Sequence, residues 1–254
     1  MKQLGFSALL FTLLLTATLP TGGEQNPVPI LVELFTSEGC SSCPPADRFL
    51  QELDTQPLTG AQFIVLSEHV DYWNHIGWTD PYSSSEYSDR QSVYQRRFRL
   101  DSVYTPQIIV NGAEKFVGNN SVDLDKAFAK AKAAPNVALR ISDVSVSSGK
   151  LHVHVESDPL PDRAPKADVM LAVALNHAES DVARGENAGH RLAHVAVVRN
   201  LVKVGRAESG KAFSQDAKLK LPAGVDPSAV RIIAFLQEGG QGKVVGATQA
   251  TIPK

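Results

Sequence analysis

The chain has 254 residues, a length suited to one large domain or two of ordinary size, and 43% of its residues are hydrophobic, enough to bury a core. Its 25 basic and 27 acidic side chains leave a formal charge of −2. Because no run of like charges stands out, the composition excludes charge-driven binding to nucleic acid or to an anionic membrane surface.

The first residues have the order of a secretory signal peptide. A basic start, Met1-Lys2, precedes an apolar run over residues 4–15, and a polar stretch follows at 21–25. We therefore predict a signal peptide over residues 1–23 and a periplasmic or secreted protein. The apolar run is short for a bilayer span, so we expect no permanent membrane anchor. An N-terminal anchor is the alternative.

Residues 24–135 alternate strand and helix patterns. The predicted strands are 30–36, 63–66, 107–110 and 115–118, and the predicted helices are 46–53, 84–100 and 122–134. Asn111-Gly112 predicts a hairpin turn between the last two strands. The order strand, helix, strand, helix, hairpin and helix is the one expected of a thioredoxin-like α/β domain.

After Pro135 the pattern becomes strand-like throughout. About seven short apolar runs, several alternating with polar residues, replace helical periodicity over residues 136–254. This spacing predicts an all-β, immunoglobulin-like sandwich as a second domain. The connection lacks the Gly/Ser-rich composition of a flexible linker, so we expect this domain to pack against the first.

The only two cysteines of the chain form one Cys-x-x-Cys, Cys40 and Cys43, between a predicted strand and a predicted helix. The first sulfur then lies near a helix N-terminus, where the dipole favours a thiolate. The second lies close enough to attack a mixed disulfide formed at the first. We expect Cys40 to be the more exposed of the two.

The cysteine segment and Tyr104-Thr105-Pro106-Gln107 resemble the thioredoxin superfamily. The resemblance implies that the Thr105–Pro106 bond is cis, that Pro106 packs beside the cysteines, and that Thr105 offers its backbone to an extended substrate. A fuller set of segments is similar to a bacterial exported family catalogued as a domain of unknown function. That set comprises residues 35–47, 69–73, Arg90-Gln91 with Tyr94, 104–107 and 185–187.

Two features depart from ordinary thioredoxins. Ser41-Ser42 replaces the usual Gly-Pro between the cysteines, and Pro44-Pro45 follows them. Since a residue before proline is disfavoured in the helical region, we expect the regular helix to begin at Pro45. Cys40 then gains less from the helix dipole, and Glu38 adds like-charge repulsion against a thiolate.

The loop over residues 67–81 holds groups that could border the cysteines. We predict that His69, Asp71 and Trp73, together with Tyr104, contact the substrate, since loops at strand ends carry binding groups disproportionately. The alternative is that these aromatic and acidic side chains only complete the core and the loop. A polar loop at 179–190 approaches Cys40 in our hypothesis, and lies at the far end of the second half in the default alternative.

We interpret the chain as a thiol–disulfide oxidoreductase-like protein in which Cys40 attacks, Cys43 resolves, and Thr105 with Pro106 forms the substrate platform. The expected partners are protein thiols or disulfides, no dissociable cofactor is required, and the oligomeric state is left open. Two alternatives stay open. One is a copper or zinc site combining the cysteines with His69 or His75, and the other is a binding module in which the Cys-x-x-Cys only clips a loop.

Overall fold

The computed structural model describes residues 27–55, 60–118 and 121–253. The predicted signal peptide lies outside these residues. The helices are α1 (Pro44–Thr55), α2 (Ser85–Arg97) and α3 (Ser121–Ala133). The strands are β1 (Val28–Thr36), β2 (Ala61–His69), β3 (Gln107–Val110), β4 (Glu114–Val117), β5 (Leu139–Ser147), β6 (Lys150–Ser157), β7 (Ala167–Asp181), β8 (Arg191–Ala207), β9 (Phe213–Lys220), β10 (Val230–Glu238) and β11 (Val244–Thr251). Within the described ranges, no helix has the length and hydropathy to cross a membrane.

The predicted elements of the first half are present. β1 pairs in parallel with β2 on one side and antiparallel with β3 on the other, and β3 forms a hairpin with β4. Residues 30–36 are buried without interruption, as expected of a strand covered on both faces. In α1, Ala46, Leu50 and Leu53 follow the helical repeat and turn one apolar face onto this sheet.

The predicted fold class, an α/β thioredoxin-like domain followed by a separate β-sandwich, is wrong. Strands from both halves form one mixed eight-stranded sheet, in the order β11-β10-β7-β8-β2-β1-β3-β4. The junction is a parallel contact between β2 and β8, with Ser67 opposite Val197. The seven strands expected after Pro135 do exist. Apolar alternation locates strands but carries no information about which distant strand each one joins.

The remaining three strands form a small sheet in the order β5-β6-β9. This sheet covers one face of β7 and β10. Val169, Leu171 and Val173 of β7 belong to the core shared with the small sheet, whereas the intervening Ala172 and Ala174 belong to the core under β1 and β2. Because successive side chains of a strand point to opposite faces, β7 contributes residues to both cores.

Polar contacts also fasten the two halves together. Arg231 of β10 forms a two-pronged ion pair with Asp54 of α1, at 2.5 and 3.0 Å. At the β3–β4 turn the carbonyl of Asn111 accepts a hydrogen bond from Val244 N–H, at 2.8 Å. Gly112, in the same turn, approaches the β10–β11 turn so closely that a Cβ would lie 2.3 Å from a backbone oxygen. The expectation that the second half packs against the first is confirmed.

Candidate functional site

Cys40 and Cys43 form a disulfide between the end of β1 and the start of α1, with their Cα atoms 5.4 Å apart. The Cys40 N–H donates to Ser37 O at 3.1 Å, which turns the chain back after the strand. The Cys43 carbonyl accepts from the N–H of Asp47 at 3.1 Å, so Cys43 is the residue from which the helix starts. The helix begins at Pro44, one residue earlier than we expected.

Both cysteines are completely buried, at 0% exposure. The expectation that Cys40 is the more exposed of the pair is wrong. The two residues between them, Ser41 and Ser42, are exposed, and the Ser42 Oγ lies 3.3 Å from the Cys40 Sγ. The sulfurs are therefore buried beneath the surface that the two serines form.

A turn from the second half, residues 185–187, covers the cysteine segment. The carboxylate of Glu186 accepts a hydrogen bond from Ser41 N–H at 3.0 Å. The side-chain amide of Asn187 donates to the carbonyls of Glu38 and Cys40, at 2.8 and 3.0 Å. We call this segment the 185–187 turn. The hypothesis that the 179–190 loop approaches Cys40 is confirmed, and the far-end alternative is wrong.

Trp73 links the cysteine segment to the predicted substrate platform. Its indole N–H donates to the Thr105 hydroxyl at 2.8 Å, and its Cβ lies so close to Gly39 that a side chain there would meet it at 3.0 Å. The Thr105–Pro106 bond is cis, as the resemblance implies. Trp73 and Thr105 are thus brought together beside the residue that precedes Cys40.

Asp71 and Tyr104, the other predicted substrate contacts, are engaged by helix α2. The Asp71 carboxylate accepts from the Ser88 hydroxyl at 2.6 Å, and the Tyr104 carbonyl accepts from the side-chain amide of Gln91 at 2.7 Å. Burial also raises the pKa of the Tyr104 phenol above its ordinary value. These contacts hold α2 in place, which agrees with the alternative that these groups complete the loop.

His69 belongs to a buried charge cluster next to the disulfide. We define this cluster as Glu38, Asp47, His69, Asp80 and His194, all at least 95% buried. His194 of β8 lies between two carboxylates, with Nε2 3.4 Å from Glu38 Oε1 and Nδ1 3.6 Å from Asp47 Oδ1. The His69 ring packs edge-on against the His194 ring at 4.6 Å, and its Nδ1 lies 2.7 Å from Asp80 Oδ2.

The electrostatics of the cluster favour charged groups despite burial. Burial lowers the pKa of His194, but the carboxylates of Asp47 and Glu38 outweigh it and raise the pKa to about 10. Burial likewise opposes ionisation of Asp80, yet His69 and two backbone N–H groups hold its pKa below the usual range. At neutral pH the cluster therefore contains an imidazolium beside the cysteine segment.

A second buried polar cluster surrounds Glu33 of β1. Arg90 of α2 pairs with Glu33, and its Nε lies 3.4 Å from Glu68 Oε1. The Tyr94 hydroxyl donates to Glu33 at 2.6 Å and accepts from the Gln237 amide at 2.8 Å. Burial, only partly offset by Arg90, raises the pKa of Glu68 well above its usual range.

Residues 31–237 match the family described as Protein of unknown function (DUF1223). The chain belongs to this family. The resemblance to a family of unknown function is confirmed, while the thioredoxin relationship stays a prediction. No curated protein matches the chain.

Two solved structures share most of the fold. A structural-genomics target from Agrobacterium tumefaciens is 28% identical, with a TM-score of 0.69, and the match covers 91% of this chain and 97% of that one. HBP35 of Porphyromonas gingivalis is 16% identical with a TM-score of 0.65, over 89% of this chain and 76% of that one. At this identity, the second likeness concerns the fold alone.

The alternative of a copper or zinc site at the cysteines has no supporting arrangement of ligands in the described residues. Within residues 27–55, 60–118 and 121–253, no group of three or more His, Cys, Asp or Glu side chains is placed to hold a metal ion. His69 contacts Asp80 and His194, and His75 is exposed.

Sequence reasoning missed most of the buried charge cluster. Asp47 and Asp80 lie in segments that the sequence singles out, but no pattern gives either a role, and His194 lies in an ordinary strand pattern of the second half. Their common role depends on β8 lying beside β2 and α1, a pairing between distant segments. No local pattern around His194 could have revealed its partners.

Proposed function

We propose that the chain is an exported protein that carries out thiol–disulfide exchange, the chemistry of the thioredoxin superfamily, through Cys40 and Cys43. The observation that carries this proposal is the disulfide itself, formed by the chain's only two cysteines where β1 gives way to α1. A four-residue loop removes little chain entropy from the unfolded state, so stabilisation alone is a weak reason for such a bond.

The exchange balances without a dissociable cofactor. With the pair reduced, the Cys40 thiolate attacks one sulfur of a partner disulfide, a mixed disulfide forms, and the other partner sulfur leaves as a thiolate. The Cys43 thiolate then attacks Cys40 Sγ, the mixed disulfide breaks, and the second partner sulfur leaves. The partner is reduced by two electrons and the Cys40–Cys43 bond is restored. The reverse sequence oxidises a partner dithiol.

The surroundings favour a protein thiol or disulfide as the partner. The exposed Ser42 lies with its Oγ 3.3 Å from Cys40 Sγ, and the Trp73 indole is held beside this segment by its hydrogen bond to Thr105. In this proposal the backbone of Thr105 pairs with an extended segment of the partner, as an added strand does. Since both sulfurs are buried, the partner gains access only after a local opening of this region.

A trapping experiment tests the proposal. Cys43→Ser leaves Cys40 able to form a mixed disulfide but removes the group that resolves it, so this variant should accumulate mixed disulfides with protein partners. Cys40→Ser is the matched control and should accumulate few, because Cys43 is the resolving sulfur. The readout is non-reducing electrophoresis after alkylation, with metal content measured on the same samples.

The second candidate function is a structural clip in a binding module. Its support is the complete burial of both sulfurs and the direct hydrogen bond from Asn187 to Cys40 O. A clip predicts no trapped partners in either cysteine variant, and a lower stability in both. Equal trapping by both variants would also contradict the assigned roles of the two sulfurs.

A further inference from the structure

The buried charge cluster sits on both sides of the disulfide along the chain. Glu38 lies two residues before Cys40, and its backbone carbonyl shares the Asn187 amide with the carbonyl of Cys40. Asp47 lies one helical turn after Cys43 and donates its N–H to the Cys43 carbonyl. The residues that carry these two carboxylates are therefore joined by hydrogen bonds to the backbone of the cysteine segment, one before it and one after it.

Two buried carboxylates disfavour a third negative charge in their midst. A thiolate formed on reduction of the disulfide is such a charge, and in an interior of low dielectric the repulsion is much stronger than in water. A cation placed between the same carboxylates offsets it. His194, within 3.6 Å of both Glu38 and Asp47, occupies that position.

We propose that His194 is a positioning residue whose imidazolium sets the redox balance of the Cys40–Cys43 pair by stabilising the reduced, thiolate-bearing form. This inference rests on the proposed exchange function and assigns the control of it to a residue of the C-terminal half. His194 acts on the sulfurs through the field of the cluster, and it does not touch the substrate.

The groups that face His194 come from every element packed around it. They are Glu38 from the β1–α1 segment, Asp47 from α1, His69 from β2, and Tyr82, whose ring centroid lies 6.1 Å from that of His194. Arg199 in turn lies over the Tyr82 ring, at 5.7 Å. The raised pKa of His194, about 10, keeps its cation in place across the neutral range.

The redox reaction balances as an exchange with a thiol. Two molecules of glutathione are oxidised to glutathione disulfide, the Cys40–Cys43 bond breaks, and the two electrons pass to its sulfurs. Of the two protons released by glutathione, one goes to one cysteine thiol. The other goes to solvent when the remaining cysteine stays a thiolate. Of the charges that change in this reaction, the thiolate of the remaining cysteine is the one that interacts with His194.

The experiment measures the equilibrium of the mature protein with glutathione buffers. In His194→Gln the reduced form loses its cation, so the equilibrium should move toward the disulfide by roughly tenfold, or about 30 mV for a two-electron couple. The pKa of the thiol, followed by thiolate absorbance, should rise by about one unit. His190→Gln removes an exposed histidine next to the 185–187 turn and should leave both values unchanged.

A variant that removes a negative charge, where His194→Gln removes a positive one, separates an electrostatic effect from damage to the fold. Asp47→Asn removes a negative charge from the same cluster, so it should move the equilibrium toward the dithiol and lower the thiol pKa. Loss of packing would shift both variants in one direction or leave both potentials unchanged. If His194→Gln fails to fold, His194→Asn replaces it, with the same expected direction for both values.

The outcomes are distinguishable from those of the proposed function. A wild-type pair that never equilibrates with glutathione defeats the exchange function itself. A wild-type pair that equilibrates normally, with the same potential and thiol pKa in His194→Gln and Asp47→Asn, leaves exchange intact and overturns the role of His194.

Discussion

The hydrogen bonds of Asn187 offer a direct way to open the site. Its side-chain amide donates to the carbonyls of Glu38 and Cys40, and the residue is 95% buried. In Asn187→Ala both carbonyls lose the Asn187 donor, and the Cys40 carbonyl keeps its bond from the Cys43 N–H at 3.2 Å. The disulfide and the buried charge cluster keep all their own atoms. The change therefore weakens the cover over the cysteine segment without altering its chemistry.

The expected size follows from the two lost bonds. Each buried hydrogen bond contributes about 1 kcal/mol, so the free energy of unfolding should fall by about 2 kcal/mol. If the disulfide is reached through a local opening that breaks the same two bonds, the population of the open form rises by the same free energy. That is roughly 25-fold at about 1.4 kcal/mol per factor of ten.

The assay is the rate of disulfide reduction by excess dithiothreitol at fixed pH, together with the free energy of unfolding from denaturant titration. Asn176→Ala is the matched control, because Asn176 also makes two side-chain hydrogen bonds, to Ser228 O and from Arg231 Nε, on the far strand β7. Asn176→Ala should lower the free energy of unfolding and leave the reduction rate unchanged.

An Asn187→Ala disulfide that is reduced no faster than wild type would refute the role of the 185–187 turn as a cover. Equal acceleration in both variants would show that reduction requires global unfolding.

Two further predictions concern the frame that carries the site. Gly112→Ala places a Cβ 2.3 Å from Gly242 O at a φ of +60°, so it should cost about 3 kcal/mol or more in the free energy of unfolding. Gly149→Ala, at a φ of +69° with open space around it, should cost only about 1–2 kcal/mol, and equal costs would contradict the close approach. Glu68→Gln tests the raised pKa of Glu68. In wild type the stability from protonated Glu68 is complete below about pH 4.3, its unfolded pKa, and is lost as pH rises through the raised folded pKa. The glutamine variant should lose less stability over that range, and parallel pH curves would contradict it.

The local parts of the site could be predicted from the sequence. An unbroken apolar run followed by Cys-x-x-Cys and Pro-Pro places the cysteines between a strand and a helix, because these features depend only on neighbouring residues. The Asn111-Gly112 turn is readable for the same reason, since both residues adopt a positive φ that few others tolerate.

The contacts between distant segments could not be predicted from the sequence. The residues around Val197 alternate as any strand does, and nothing in them specifies a contact with Ser67 of β2. The expectation that Cys40 is the more exposed cysteine fails for a related reason, because Asn187, which donates to the Cys40 carbonyl, comes from the second half. The role of Asp71 as a substrate contact stays a prediction, and its hydrogen bond with Ser88 depends on the orientation of α2, which no local pattern specifies.

The continuous sheet gives the C-terminal half a part in the candidate site. Asn187 must be held within 3.0 Å of two carbonyls and His194 within 3.6 Å of two carboxylates. A domain moving on a linker would not keep four such distances at once, since interfaces between domains normally permit relative motion. β8 is a strand of the same sheet as β1. It carries His194 and begins at Arg191, a few residues after the 185–187 turn. A change of charge or geometry at the Cys40–Cys43 pair therefore reaches residues of both halves, because Asn187 contacts the cysteine segment directly and His194 contacts the carboxylates that flank it.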